Sequence, residues 1–92
     1  MNTWDERKRH RTLAERGLDF ADAHKVFAGN HVTRLDDRRD YSEPRCITAG
    51  YLKGRFVVIT WTPRDGKQRI ISLRYGHDQE ESRFQSKMGR SR

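Results

Sequence analysis

A single cysteine, Cys46, is present in 92 residues, so no internal disulfide can hold the fold together, and a reducing compartment is the natural setting. Apolar residues are scarce, at 33% of the chain, and no apolar run approaches the roughly 18 residues a membrane-spanning helix needs. The start, Met1-Asn2-Thr3-Trp4-Asp5, leads into a charged segment rather than the apolar core of a secretion signal. A cytoplasmic protein with no membrane contact is therefore expected. His10, His24 and His31 stand at spacings that make no ligand set, and Cys46 has no companion. Neither a metal nor a cofactor is expected. Also missing are a glycine-rich phosphate loop, a serine elbow and a dinucleotide fingerprint, which argues against the common nucleotide-dependent and serine-hydrolase classes.

Positive charge is what the chain has in quantity. Lys and Arg number 20 against 13 Asp and Glu, a net +7. Between residues 44 and 76, Arg45, Lys53, Arg55, Arg64, Lys67, Arg69 and Arg74 stand against Asp65 alone. The same segment holds the two strongly apolar runs Phe56-Val57-Val58-Ile59 and Ile70-Ile71. Apolar strand residues interleaved with cations describe a small sheet that would attract a polyanion. A solvated basic surface without a partner is the plainer alternative.

The chain length suits one domain, 1–92, with 86–92 as a frayed basic tail. Residues 5–16 read as a helix capped by Asp5 and stopped by Gly17, with Trp4, Leu13, Ala14 and Leu18 as its buried contacts. Asp19 reads as the cap of a second helix, whose Phe20, Ala23, Val26 and Phe27 recur on one side. A short edge strand and a charged loop are expected over residues 32–40. Strands follow at 45–51, 55–62 and 68–75, with turns at Lys53-Gly54 and over residues 63–67. Alternation in the last strand puts Ile70, Ser72 and Arg74 on one face and Arg69, Ile71 and Leu73 on the other. Gly76 breaks it, and residues 77–87 read as a helix anchored by Phe84. The expected fold is α+β: two N-terminal helices, a three- to four-stranded antiparallel sheet and a C-terminal helix. All helices would lie on one sheet face, leaving the other face or one end for a partner or ligand.

An ordered set of residues now carries a resemblance. It runs through Trp4-Asp5 and Lys8, Gly17-Leu18-Asp19-Phe20, Ala23 and Val26-Phe27. It continues with Asp37, Arg38, Asp40-Tyr41, Glu43, Arg45 and Gly50. Val57-Val58, Thr62-Pro63-Arg64 and residues 69–74 complete it. In this order and spacing the chain resembles the BrnT-type toxins, small ribonucleases of bacterial type II toxin–antitoxin pairs. The resemblance implies a RelE-like fold and RNA cleavage that inhibits translation. It also implies neutralisation by a BrnA-like antitoxin with a ribbon-helix-helix region, so that the complex contacts operator DNA only through the antitoxin and represses its own operon. Three places depart from the family pattern. Glu15-Arg16-Gly17 stands where Lys-His-Gly is usual, Tyr75-Gly76-His77 replaces a Lys/Arg-Ala stretch, and Phe84 stands where tyrosine is common.

RNA cleavage without a metal needs a base for the 2′-hydroxyl, cations for the charge that builds on phosphate, and an acid for the leaving 5′-oxygen. Arg64, Arg69 and Arg74 are the leading phosphate ligands, because a guanidinium pairs with phosphate in bidentate fashion. They are expected to converge on one scissile linkage. Glu43, on the same strand face as Arg45, is a candidate base or an orienting partner for an arginine, with a plain cross-strand ion pair as the alternative. Glu80 is a second carboxylate candidate that also suits a helix first turn, and His77 is the one histidine beside the arginine-rich strand end. Lys8, Arg45 and Lys67 join Arg69 as the RNA-binding candidates. Trp61, Tyr51 and Tyr75 are either base-stacking or packing residues. A non-catalytic basic module, binding nucleic acid or a partner, is the competing reading, and a role chiefly as co-repressor with the antitoxin is a third.

Overall fold

The computed structural model of the chain describes residues 2–36 and 43–90. The element order is β1 (Asn2–Trp4), α1 (Glu6–Arg16), a 3-10 turn (Phe20–Asp22) running into α2 (Ala23–Ala28), β2 (His31–Leu35), β3 (Cys46–Leu52), β4 (Arg55–Arg64), β5 (Lys67–Tyr75) and α3 (Asp78–Arg90). The strands form one five-stranded sheet in the order β1-β5-β4-β3-β2.

The expected sheet of three or four antiparallel strands is corrected by this topology. β1 adds a parallel strand beside β5, with Thr3 opposite Arg69 and Trp4 opposite Ile70. Three residues are too few to show a strand period, and their partner strand lies far along the chain. The expectation of helices on one face is corrected too. Leu18, Phe20, Ala23 and Val26 pack with Val57, Ile59, Ile70 and Leu73 on one side of the sheet. On the other side Phe84 of α3 packs with Phe56 and Val58. Alternation along β4 supplies both cores at once, Phe56 and Val58 to one face and Val57 and Ile59 to the other. Gly50 of β3 allows α2 to sit close, since a Cβ there would stand 2.8 Å from Val26 Cγ1.

Local chemistry explains the boundaries. The Asp5 carboxylate accepts the Arg7 and Lys8 amides at 2.8 and 3.3 Å, and Gly17 closes α1 in the left-handed region at φ 70°. Thr12 is the buried residue of α1, whereas the expected contact Leu13 is 42% exposed. Asp19 caps the 3-10 turn by accepting the Ala21 amide at 2.9 Å. Lys53-Gly54 and Asp65-Gly66 both have positive φ, the signature of tight hairpins. The second hairpin is shorter than expected, because Pro63 and Arg64 belong to β4. Pro63 lies past the last β3 pairing, Cys46 opposite Trp61, where a missing N–H costs no ladder bond. The charged loop expected after β2, with Asp37, Arg38, Asp40 and Tyr41, lies outside the described residues.

One irregularity changes the site. Thr60 pairs with Ser72 but Trp61 pairs with Ile70, so Ile71 is an extra residue in β5. The alternation expected for residues 69–74 is therefore overturned. Ile70 and Leu73 share one core, at 2% and 0% exposure. Arg69 (opposite Thr62) and Arg74 (opposite Val58) come to share the other face, that of α3.

Candidate functional site

The site candidates fall into two groups at opposite ends of β5. At the β4–β5 hairpin, Arg64 and Lys67 pair across the turn. The Arg64 guanidinium donates to both Glu43 oxygens at 2.8 and 2.9 Å. Glu43 raises the pKa of Arg64, first through that hydrogen bond and then through its charge. Thr62 fastens the incoming segment by donating its hydroxyl to the Pro44 carbonyl. The next residue, Arg45, accepts the amide of buried Asp36 on its carbonyl at 2.8 Å. Glu43, Arg45, Arg64 and Lys67 are thus brought to one end of the sheet.

At the far end stand Arg74, His77 and Glu80. The Arg74 guanidinium grips the Glu80 carboxylate through two parallel bonds of 3.0 and 2.9 Å and also reaches the Tyr75 carbonyl at 3.2 Å. The His77 amide donates to the same carboxylate at 2.9 Å, which closes the N-terminus of α3. The Arg74 hydrogen bond, together with the His77 amide, holds Glu80 down to about 2 despite partial burial. Glu80 is therefore ionised near neutrality and accepts a proton poorly. A general acid or base works best with a pKa near the operating pH, so the geometry makes Glu80 a clamp on Arg74 rather than a proton carrier. Gly76 makes this corner possible: a Cβ there would run into the Phe56 ring, and its amide donates to the Phe56 carbonyl at 3.0 Å.

The expected convergence on one linkage does not occur. Lys67 and Arg74 are seven positions apart on β5, a span of about 20 Å at the rise of a strand. Two such ends cannot grip one phosphate. With Arg69 between them on the same face, they form a cationic track instead. Lys8 stands apart from it, on α1. That helix is held to the 3-10 turn by Arg9, which donates to Asp19 at 2.8 Å, so it belongs to the opposite helical layer. Arg16, at the departure from the family pattern, plays a structural role. It donates to the Leu73 carbonyl at 2.9 Å, on the stretch of β5 beyond the end of β1.

The aromatic candidates are engaged in packing. The Tyr51 hydroxyl donates to Glu81 at 2.6 Å and accepts from Gln85 at 3.0 Å, tying α3 to β3. The Trp61 indole donates to Thr48 at 2.8 Å and meets Phe27 edge-on, on the face away from the cationic track. Tyr75 lies under the Arg55 guanidinium at 4.5 Å. Burial pushes the Cys46 thiol up, which leaves it protonated and a poor nucleophile. Among the described residues no group of three His, Cys, Asp or Glu side chains is placed to hold a metal, and no helix is long and apolar enough to cross a membrane.

Sequence reasoning missed a cleft of about 140 Å³ between α3 and the sheet, lined by Val32, Ile47, Ala49 and Val58 with Arg34, Arg83 and Lys87. The spacing of Glu80, Arg83, Phe84 and Lys87 marks one side of a helix and was the available signal. The β2 side, Val32 and Arg34, was less legible, because its pairing with β3 is a tertiary fact.

A thin sheet between helical layers, with cations strung along one face and a carboxylate-clamped arginine at its end, defines a small basic protein suited to an anionic partner. The family model described as "Ribonuclease toxin, BrnT, of type II toxin-antitoxin system" matches residues 4–80, and the chain belongs to that family. It is a ribonuclease toxin of a type II system, and such a toxin has an antitoxin partner. Comparison with individually curated proteins returns no match.

Proposed function

We propose that this toxin is an endoribonuclease that cuts RNA without a metal, and that the Arg74, His77 and Glu80 corner is where the cut is made. The observation that carries the reading is the clamped Arg74 at the end of a face shared with Arg69. The 2′-oxygen attacks phosphorus while the bond to the 5′-oxygen breaks, leaving a 2′,3′-cyclic phosphate and a 5′-hydroxyl. Arg74, held in register by Glu80, binds the phosphate oxygens as their charge grows. His77 is exposed beside it and is the proton-transfer residue, taking the 2′ proton or delivering one to the 5′-oxygen. Arg69, Lys67, Arg64 and Arg45 hold the flanking backbone, Glu43 orients Arg64, and Lys8 supplies a separate contact on α1. Cleavage stops translation in the cytoplasm until a BrnA-like antitoxin covers the toxin. Operator DNA is bound through the ribbon-helix-helix region of that antitoxin.

The test is purified protein incubated with RNA, with and without EDTA, followed by analysis of the product ends. Cleavage that survives EDTA, yields cyclic phosphate ends and is lost in Arg74→Ala supports the reading. Cleavage that depends on added metal, or full activity in Arg74→Ala, refutes it. A second reading, a non-catalytic binding module, is favoured by the Glu43–Arg64 and Glu80–Arg74 pairs, which already neutralise part of the cationic face. Under that reading RNA is bound in a strongly salt-dependent way and stays intact.

A further inference from the structure

The cleft between α3 and the β2–β3 side of the sheet shares only Glu80 with the cleavage corner proposed above. Its floor is hydrocarbon: Val32, Ile47, Ala49 and Val58, over the rings of Phe56 and Phe84, which are only 7% and 5% exposed. Reading a nucleobase requires polar groups at its edges or an exposed ring to stack on, and this floor offers neither. At about 140 Å³ it is also smaller than the roughly 300–1,000 Å³ of small-molecule sites. It suits one aliphatic anchor of a peptide segment. The rim is cationic, with Arg34 on the strand side and Arg83 on the helix side, neither ion-paired among the described residues. β2 is one of the two edge strands, and its sequence, His31-Val32-Thr33-Arg34-Leu35, has no proline to block an added strand.

We infer that this cleft is where the antitoxin docks, an assignment that rests on the toxin–antitoxin reading but not on the cleavage mechanism. The occupant is an acidic amphipathic segment. It sets an apolar side chain on the Val32, Ile47, Ala49 and Val58 floor and turns carboxylates toward Arg34 and Arg83. Charge complementarity selects it, since a basic protein of net +7 presents here an apolar slot edged by guanidinium groups. Neutralisation follows from position: Glu80, which clamps Arg74, also lines the cleft. A segment seated there stands beside Arg74 and denies the phosphate its approach.

The test uses the full-length toxin and the antitoxin encoded with it, with affinity measured by calorimetry for wild type, Arg34→Glu and Arg83→Glu. Both side chains are exposed, so both variants should fold, which far-UV circular dichroism checks. Each charge reversal is expected to weaken antitoxin binding about tenfold or more, most strongly at low salt, while RNA cleavage by the free toxin is unchanged. Antitoxin affinity within twofold of wild type in both variants overturns the cleft assignment alone. Loss of RNA cleavage with antitoxin affinity intact also overturns it, and makes the cleft an RNA subsite. A wild-type toxin that fails to bind this antitoxin at all overturns the partner reading and the cleft together.

Discussion

Replacing Glu80 by Gln tests the clamp on Arg74 through its pH dependence. In the folded protein the Glu80 carboxyl is held at about 2, against an ordinary value of 4.5. At about 1.4 kcal/mol per pKa unit, the whole shift corresponds to about 3 kcal/mol. The Arg74 and Glu80 side chains are 40% and 30% exposed, so solvent screening reduces this to about 1–2 kcal/mol. A depressed folded pKa adds stability in full above the unfolded value of 4.5 and loses it as pH falls through about 2. Urea titrations of wild type and Glu80→Gln should therefore differ by about 1–2 kcal/mol at pH 7. The difference should start to shrink below pH 4.5 and be nearly gone near pH 2. Asp5, Glu6 and Asp19 are also held below their ordinary values, chiefly by hydrogen bonds from the Lys8 amide, the Trp4 indole and the Arg9 guanidinium respectively, but they are common to both proteins and cancel. A difference that stays constant between pH 7 and pH 2.5 would refute the argument, because no proton uptake at Glu80 would then be linked to folding.

Gly50→Ala forces a methyl group against Val26 and the Asn30 carbonyl, so a loss of about 1–3 kcal/mol is expected, read as a lowered melting temperature. Thr48→Val removes the acceptor of the Trp61 indole and the partner of the Thr33 hydroxyl in a fully buried position. That should cost about 1–3 kcal/mol and alter tryptophan emission. Asp19→Ala removes a helical cap together with the partner of Arg9, lowering the melting temperature by about 4–8 °C for each 1 kcal/mol lost. Lys67→Ala and Arg69→Ala should each weaken RNA binding across unrelated sequences and flatten its salt dependence by about one unit of slope. An unchanged slope would remove that residue from the track.

Much of the architecture was written locally. Asp5 and Gly17 bracket α1, Asp19 starts the next turn, and the Lys53-Gly54 and Asp65-Gly66 pairs make the hairpins, since each acts through the backbone within a few residues. β1 was invisible because three residues carry no period, and its parallel partners Gln68, Arg69 and Ile70 lie far along the chain. The layer assignment failed for a related reason. A strand apolar on both faces, like residues 56–59, requires cover on both sides, and that pattern argued against placing every helix on one. Within the site, Glu80 and Arg74 were both candidates, but their direct pairing was not legible. It depends on Gly76 turning the chain over Phe56.

Composition, caps, turn residues and the ordered family pattern in the linear chain settled that this is a small basic toxin of mixed helices and strands, because those signals act over a few neighbours or through net charge. Where the cations point was decided only in three dimensions. Arg69 and Arg74 are five positions apart, an odd number that strict alternation sends to opposite faces. The extra residue Ile71 shifts the register and returns them to one side. That shift arises from pairing β5 with β4, an interaction no local stretch of sequence encodes.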